Sequence, residues 1–184
     1  NASSNYNSLR QSGQSTCMSP LNRSAYWMPA MLDGAGSVVR PDYVSIYYKR
    51  RPASDPKCSL TSGDPHAEGN CIGLPNGLRF LMGYDMKNPA AGMMGAYFNC
   101  DGQTGTSGVY KTLTEAVAHC PTARNPNGTY NQIGAALGAP DCWDGKNLDS
   151  PNHRDHMAYA TWGSWGYQRC PTTHPYLIPG FTMM

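Results

Sequence analysis

Tyr43-Val44-Ser45-Ile46-Tyr47-Tyr48 places Val44, Ile46 and Tyr48 on one side of an extended chain and Tyr43, Ser45 and Tyr47 on the other. Alternation with period two is the pattern of a strand, and the second face here is aromatic. Pro41 lies just upstream; it cannot donate to a ladder, which predicts an edge position or a bulge. Working outward, Ala25–Leu32 reads as a strand carrying Tyr26 and Trp27. The turn Asp33-Gly34-Ala35-Gly36 then leads into a second extended run over Ser37–Lys49. Leu78–Tyr84, Met93–Cys100, Met157–Trp162 and Tyr176–Met184 read as further strands. A short helix is expected around Tyr6–Gln11. A better-marked one covers Leu113–His119, with Thr112 or Thr114 as cap, Glu115 in the first turn and Pro121 past its end. No repeat or linker divides the chain. The expected fold is an all-β or β-dominated antiparallel sandwich, jelly-roll-like, with one short helix near 113–119, built as a single domain over 1–184.

Composition narrows the function classes. The 184 residues hold 14 Lys plus Arg against 12 Asp plus Glu, a net charge of +2. A protein that neutralises many phosphates needs a basic surplus, so nucleic acid is not the expected partner. Three Phe, 4 Trp and 12 Tyr are too many aromatics for a disordered chain. No apolar run approaches the roughly 20 residues that span a bilayer.

Cysteines stand at 17, 58, 71, 100, 120, 142 and 170. None forms Cys-x-x-Cys, so disulfides are preferred to structural zinc, and the expected location is secreted, extracellular or at the cell surface. Sequons at Asn1, Asn22 and Asn127 agree with a secreted glycoprotein. The chain opens at Asn1 without a signal peptide and reads as a mature or trimmed product. Many pairings are formally open. Modest loops favour Cys58–Cys71, Cys100–Cys120 and Cys142–Cys170, which leaves Cys17 to a partner outside the chain.

The densest polar stretch is Asp141-Cys142-Trp143-Asp144-Gly145-Lys146-Asn147-Leu148-Asp149-Ser150-Pro151-Asn152-His153-Arg154-Asp155-His156, with four Asp, two Asn and two His. Carboxylates and imidazoles on one loop can transfer protons or bind a metal. The same residues are also what turns are made of. Two motif matches fail. His153-Arg154-Asp155 resembles a kinase catalytic loop, but Ala160 stands where its Asn belongs. Asp144–Asp155 has the length of an EF-hand loop, but Lys146 and Leu148 occupy ligand positions. A Cys142–Cys170 bond would draw His174 toward this loop. The candidate catalytic residues are therefore Asp144, Asp149, His153, Asp155, His156 and His174. His153, His156 and His174 are the candidate ligands for a divalent metal ion. His66 and His119 read as structural or solvated.

The aromatics point to a ligand. Tyr26, Trp27, Trp143, Trp162 and Trp165, with the Tyr43/Tyr47 face, can stack on sugar rings. Tyr26, Trp27, Trp143 and Asn147 are the candidate substrate contacts, and a polysaccharide or cell-wall glycan is the expected partner. Core packing is the competing use of each ring.

Several stretches resemble a secreted family of fungi and actinobacteria named domain of unknown function nineteen-ninety-six. They are Ser15-Thr16-Cys17, Ser24-Ala25-Tyr26-Trp27-Met28-Pro29, Pro75-Asn76-Gly77-Leu78-Arg79, the run from Asp141 to Met157, and Cys170-Pro171 with His174-Pro175. The resemblance covers nearly the whole chain. It implies an upstream Ser-His-x-His segment with a cysteine that would pair Cys17, and a downstream His-Ala-Asp-Phe segment, both outside this chain. It also implies a polysaccharide setting, and an insertion over Arg51–Cys71. Two functions remain open on this reading. One is a polysaccharide-cleaving enzyme using the Asp/His cluster, with or without a metal. The other is a non-catalytic extracellular binding or structural module, with covalent or filament-type self-assembly.

Overall fold

The computed structural model describes residues 6–12, 24–92, 94–101, 108–163 and 166–184. Cys17, Trp165, Asn1 and Asn22 lie outside them. The chain divides into two compact units, one of residues 1–43 and 75–78, the other of 44–74 and 79–184.

The first unit holds helix α1 (Tyr6–Ser12) and the strands β1 (Met31–Leu32) and β2 (Val38–Val39). β1 and β2 pair antiparallel, Met31 opposite Val39. Asp33 closes their turn, its carboxylate accepting the Ala35 and Ser37 N–H groups at 2.9 and 2.8 Å. The strand expected over Ala25–Leu32 thus shrinks to its last two residues, the part with a cross-strand partner.

The second unit holds β3 (Ile46–Lys49), β4 (Asn70–Cys71), β5 (Ala96–Asp101), α2 (Leu113–Ala118), β6 (Gln132–Gly138), β7 (Cys142–Trp143), β8 (Met157–Ala158), β9 (Thr161–Trp162), β10 (Gln168–Arg169), β11 (Tyr176–Leu177) and β12 (Gly180–Met183). β3-β12-β6-β5 form one four-stranded sheet and β4-β11-β7-β8 another, with a β10-β9 ribbon beside them. All pairings are antiparallel except β11 with β4. The alternating segment at 43–48 supplies β3, an edge strand as Pro41 foretold.

One bent ribbon serves both sheets. Ala139-Pro140-Asp141 carries the chain from β6 into β7, and Ile178-Pro179 carries it from β11 into β12. The two crossings lie side by side: Ile178 N donates to Asp141 O at 2.9 Å and Ala139 N donates to Phe181 O at 2.9 Å. Each contains a proline, which ends a ladder because it has no N–H to give.

α2 has six residues, too few to persist alone. A capping box starts it, with Glu115 N donating to Thr112 Oγ1 at 3.2 Å and Thr112 N donating to Glu115 Oε2 at 3.1 Å. Directly after it, Cys120 is bonded to Cys100 of β5. The other disulfides are Cys58–Cys71 and Cys142–Cys170, so the three expected pairs all form. Among the described residues eleven apolar side chains are buried, and five of these are cystine halves. A core of that size leaves much of the stabilisation to the staples, each worth on the order of 3 kcal/mol.

Leu78–Tyr84, expected as a strand, has no regular ladder. Residues 79–81 pair irregularly instead, with Arg79 N donating to Leu148 O at 2.9 Å and Leu81 N to His153 O at 2.8 Å.

The Cys142–Cys170 bond closes the longest loop, with a sequence separation of 28. Replacing both cysteines by Ala is expected to remove about 3–4 kcal/mol of stability. Denaturant unfolding checks this; a loss under about 1 kcal/mol would mean the staple does not hold the junction of the sheets.

Candidate functional site

The polar stretch after β7 folds as two successive turns. Asp144 builds the first. Its Oδ1 accepts the N–H groups of Lys146 and Asn147 at 2.8 and 2.9 Å, and its Oδ2 accepts Asn147 Nδ2 at 2.7 Å. Gly145 sits at φ 79, and a Cβ there would collide with the Tyr176 ring. Trp143 closes the turn from below, donating Nε1–H to Asn147 O at 2.7 Å with its ring 6.0 Å from that of Tyr176. Burial pulls the Asp144 carboxyl up, but the hydrogen bonds from Asn147 and Lys146, with His174 nearby, outweigh it and hold the group below its ordinary value. Both oxygens of Asp144, the Trp143 N–H and the Asn147 amide are therefore used to shape the loop.

Asp149 governs the second turn. Its Oδ2 accepts Arg79 Nε at 2.8 Å and also Arg79 Nη2. Its Oδ1 accepts Ser150 N at 2.9 Å and His153 Nδ1 at 2.5 Å. A carboxylate acceptor places the imidazole proton on Nδ1. Nε2 of His153 then carries a lone pair, with no hydrogen-bond partner among the described residues. The ring is partly open to solvent, its side chain 38% exposed. His153 also has φ 56, the one positive φ outside glycine among the described residues. Burial raises the Asp149 carboxyl, but His153, Arg79 and the Ser150 N–H together lower it below the usual carboxylate range.

His156 is buried, 1% exposed. Its Nε2 donates to Arg79 O at 3.0 Å, and its Nδ1 lies 2.9 Å from Ser150 Oγ. The ring thus closes a circuit: Arg79 side chain to Asp149, Asp149 to Ser150 N, Ser150 Oγ to His156, His156 back to the Arg79 carbonyl. His174 is pinned in the same manner, its Nε2 donating to Asp155 O at 2.9 Å and its Nδ1 lying 2.9 Å from Thr173 Oγ1. The Asp155 carboxylate accepts Asn152 Nδ2 at 2.7 Å.

The structure therefore brings Asp149 and His153 together as a hydrogen-bonded pair. It spends Asp144, Asp155, His156 and His174 on turns and main-chain carbonyls. Among the described residues no three His, Cys, Asp or Glu side chains are grouped to hold a metal ion, so His153, His156 and His174 do not assemble as a ligand set. Tyr26 and Trp27 belong to the first unit, while Asp149 and His153 belong to the second. His66 packs edge-on against Tyr167 at 4.3 Å, and His119 stacks on Tyr110 at 4.9 Å, in keeping with structural roles. Arg79 and Ser150 were not among the expected site residues. Arg79 lies 70 residues from Asp149, and nothing local to it announces the partner.

The family model described as Domain of unknown function (DUF1996) matches residues 1–184. No curated protein and no solved structure matches the chain.

Because Asp149 titrates below its ordinary value when folded, its contribution to stability is complete above the unfolded pKa of about 4. It is lost as pH falls from there through the depressed value. The Tm difference between wild type and Asp149→Asn is expected to be flat above about pH 5 and to shrink toward pH 2. A pH-independent difference would remove Asp149 as the hub of the loop.

Proposed function

We propose that this chain, which belongs to the family described as Domain of unknown function (DUF1996), is an extracellular protein that cleaves polysaccharide with His153 as its proton-transfer group. The observation that carries the reading is the Asp149–His153 pair, whose Nε2 meets no hydrogen-bond partner among the described residues. Nδ1–H donated to Asp149 fixes the ring and stabilises the imidazolium that forms when Nε2 accepts a proton. In the neutral state Nε2 can draw a proton from water or a sugar hydroxyl. Once charged, it can return that proton to the departing glycosidic oxygen. Arg79, bonded to the other oxygen of the same carboxylate with its Nη2 3.5 Å from His153 Nδ1, keeps a positive charge beside the ring. Hydrolysis by two opposed carboxylates is the less favoured route, because the oxygens of Asp144 are engaged in its own turn.

Two further features support the extracellular, carbohydrate-linked setting. Three disulfides suit an oxidising compartment. Trp27 and Tyr43 are 77% and 66% exposed, as flat apolar faces offered to sugar rings would be. Glycosylation at Asn127 belongs to the same reading. The residue sits exposed in a turn where its Oδ1 accepts Thr129 Oγ1–H at 2.7 Å and Thr129 N–H at 3.1 Å.

His153→Ala is expected to lower turnover on a responsive polysaccharide by at least about 100-fold. Asp149→Asn is expected to lower it strongly as well, since the ring then loses the carboxylate that orients it. Reducing-end release over a panel of plant, fungal and bacterial glycans is the assay. Turnover by His153→Ala at the wild-type rate would end the mechanism, and binding without any turnover would return the chain to the class of non-catalytic modules. Expressed through a eukaryotic secretory pathway, Asn127→Gln is expected to lose one glycan's mass in intact-protein mass spectrometry. An unchanged mass would show that Asn127 is unmodified.

A further inference from the structure

Where the bent ribbon passes between the two sheets of the second unit, it leaves a cavity of about 630 Å³, a size typical of small-ligand sites. Neither Asp149 nor His153 lines it. Asp141 does, from the end of the β6–β7 crossing, beside Cys142 and its disulfide. Desolvation raises the Asp141 carboxyl above its ordinary value. Its own N–H and that of Ala160 pull the other way, and the charge of Glu68 adds to the rise. Among the described residues no Lys or Arg forms an ion pair with it. Asp141 is half-buried, and main-chain N–H groups rather than a cation meet its carboxyl.

The rest of the lining shows what such a carboxyl could bind beside it. Glu68 is already satisfied by Arg51, whose Nε donates to Oε2 at 3.1 Å and whose Nη2 donates to Oε1 at 2.5 Å. Arg50 is exposed and makes no ion pair among the described residues. Tyr47 offers a ring 53% exposed. Three cationic side chains, Lys49, Arg50 and Arg51, stand against two carboxyls, Glu68 and Asp141. Neither a strong anion nor a strong cation is favoured by that balance. A neutral ligand rich in hydroxyls is, since a hydroxyl donates to a carboxyl oxygen and accepts from a guanidinium at once.

We propose that this cavity is a binding subsite for a neutral oligosaccharide, with Asp141 accepting sugar hydroxyls, Arg50 donating at the mouth and Tyr47 stacking against a ring face. The proposal rests on the carbohydrate reading above but not on His153.

The test is calorimetric titration of the whole chain with neutral hexasaccharides of glucose, xylose and N-acetylglucosamine. At least one is expected to bind saturably. Asp141→Asn is expected to weaken it about tenfold while keeping or raising Tm at pH 7, since a desolvated charge is removed. Tyr47→Ala is expected to weaken it similarly. Arg50→Ala, an exposed change, is expected to weaken binding too and decides the matter should Asp141→Asn not fold. Absence of saturable binding to every sugar, or wild-type affinity in the Tyr47 and Arg50 variants, overturns the proposal. If His153-dependent turnover persists in that case, the subsite falls and the catalytic reading stands.

Discussion

The arrangement of the second unit's polar loop depends on one carboxylate, that of Asp149. Four donors converge on it: two from Arg79, one from His153 and one from the Ser150 main chain. The Arg79 side chain is 63% exposed, and an ion pair that open is worth little by itself, of order 0–1 kcal/mol. The closure of the circuit is what gives it weight. The carbonyl of the same Arg79 accepts from His156, which is buried and reaches Ser150. Opening the circuit at His156 would leave a buried imidazole or carbonyl unpaired, a penalty of about 1–3 kcal/mol. A weak surface contact and a strong buried one thereby hold the same two segments. Arg154 reinforces them, donating to the Gly83 and Tyr84 carbonyls at 3.2 and 3.3 Å.

That loop needs a rigid base, and the base is the ribbon shared by the two sheets. β7 leads directly into the Asp144 turn, and its Cys142 is bonded to Cys170. The buried apolar set is small and made largely of Cys and Ala, so burial alone gives limited stability. Covalent staples compensate by restricting the unfolded chain, which costs no interior volume. A fold stabilised in this way can leave many large apolar and aromatic side chains outside, as Trp27, Tyr43 and Trp162 are.

What could be read in advance follows from how local its cause is. β3 announced itself by alternation and α2 by its capping residues, since both signals lie within a few neighbouring residues. The disulfides were legible because short loops limited the sensible partners. β6 was not foreseen. Its sequence, Gln132-Ile133-Gly134-Ala135-Ala136-Leu137-Gly138, has none of the bulky alternation of a strand. Its small residues answer to a tertiary demand, for a Cβ at Gly134 would collide with the Asn99 side chain on β5. The two-residue strands carry too little pattern to be seen at all. In the site, the Asp/His loop stood out by composition, and Asp149 with His153 emerged from it. That His156 and His174 would each set a ring nitrogen on a main-chain carbonyl was not legible, because composition does not tell which partner such a nitrogen will meet.

His153 joins the pair at a conformational cost. A side chain with a Cβ in the left-handed region costs roughly 1–2 kcal/mol relative to the ordinary helical conformation. Glycine would take φ 56 without that cost, and Asn would take it with less. The conformation is held by the loop itself, through His153 N to Ser150 O at 2.8 Å and Leu81 N to His153 O at 2.8 Å. Neither bond uses the imidazole, so glycine could make both. The one thing that histidine adds at this position is the ring, with one nitrogen on Asp149 and the other facing outward. The left-handed backbone at 153 is thereby tied to a ring that is itself one of the four donors on Asp149, so the strain and the hub of the loop fall on the same residue.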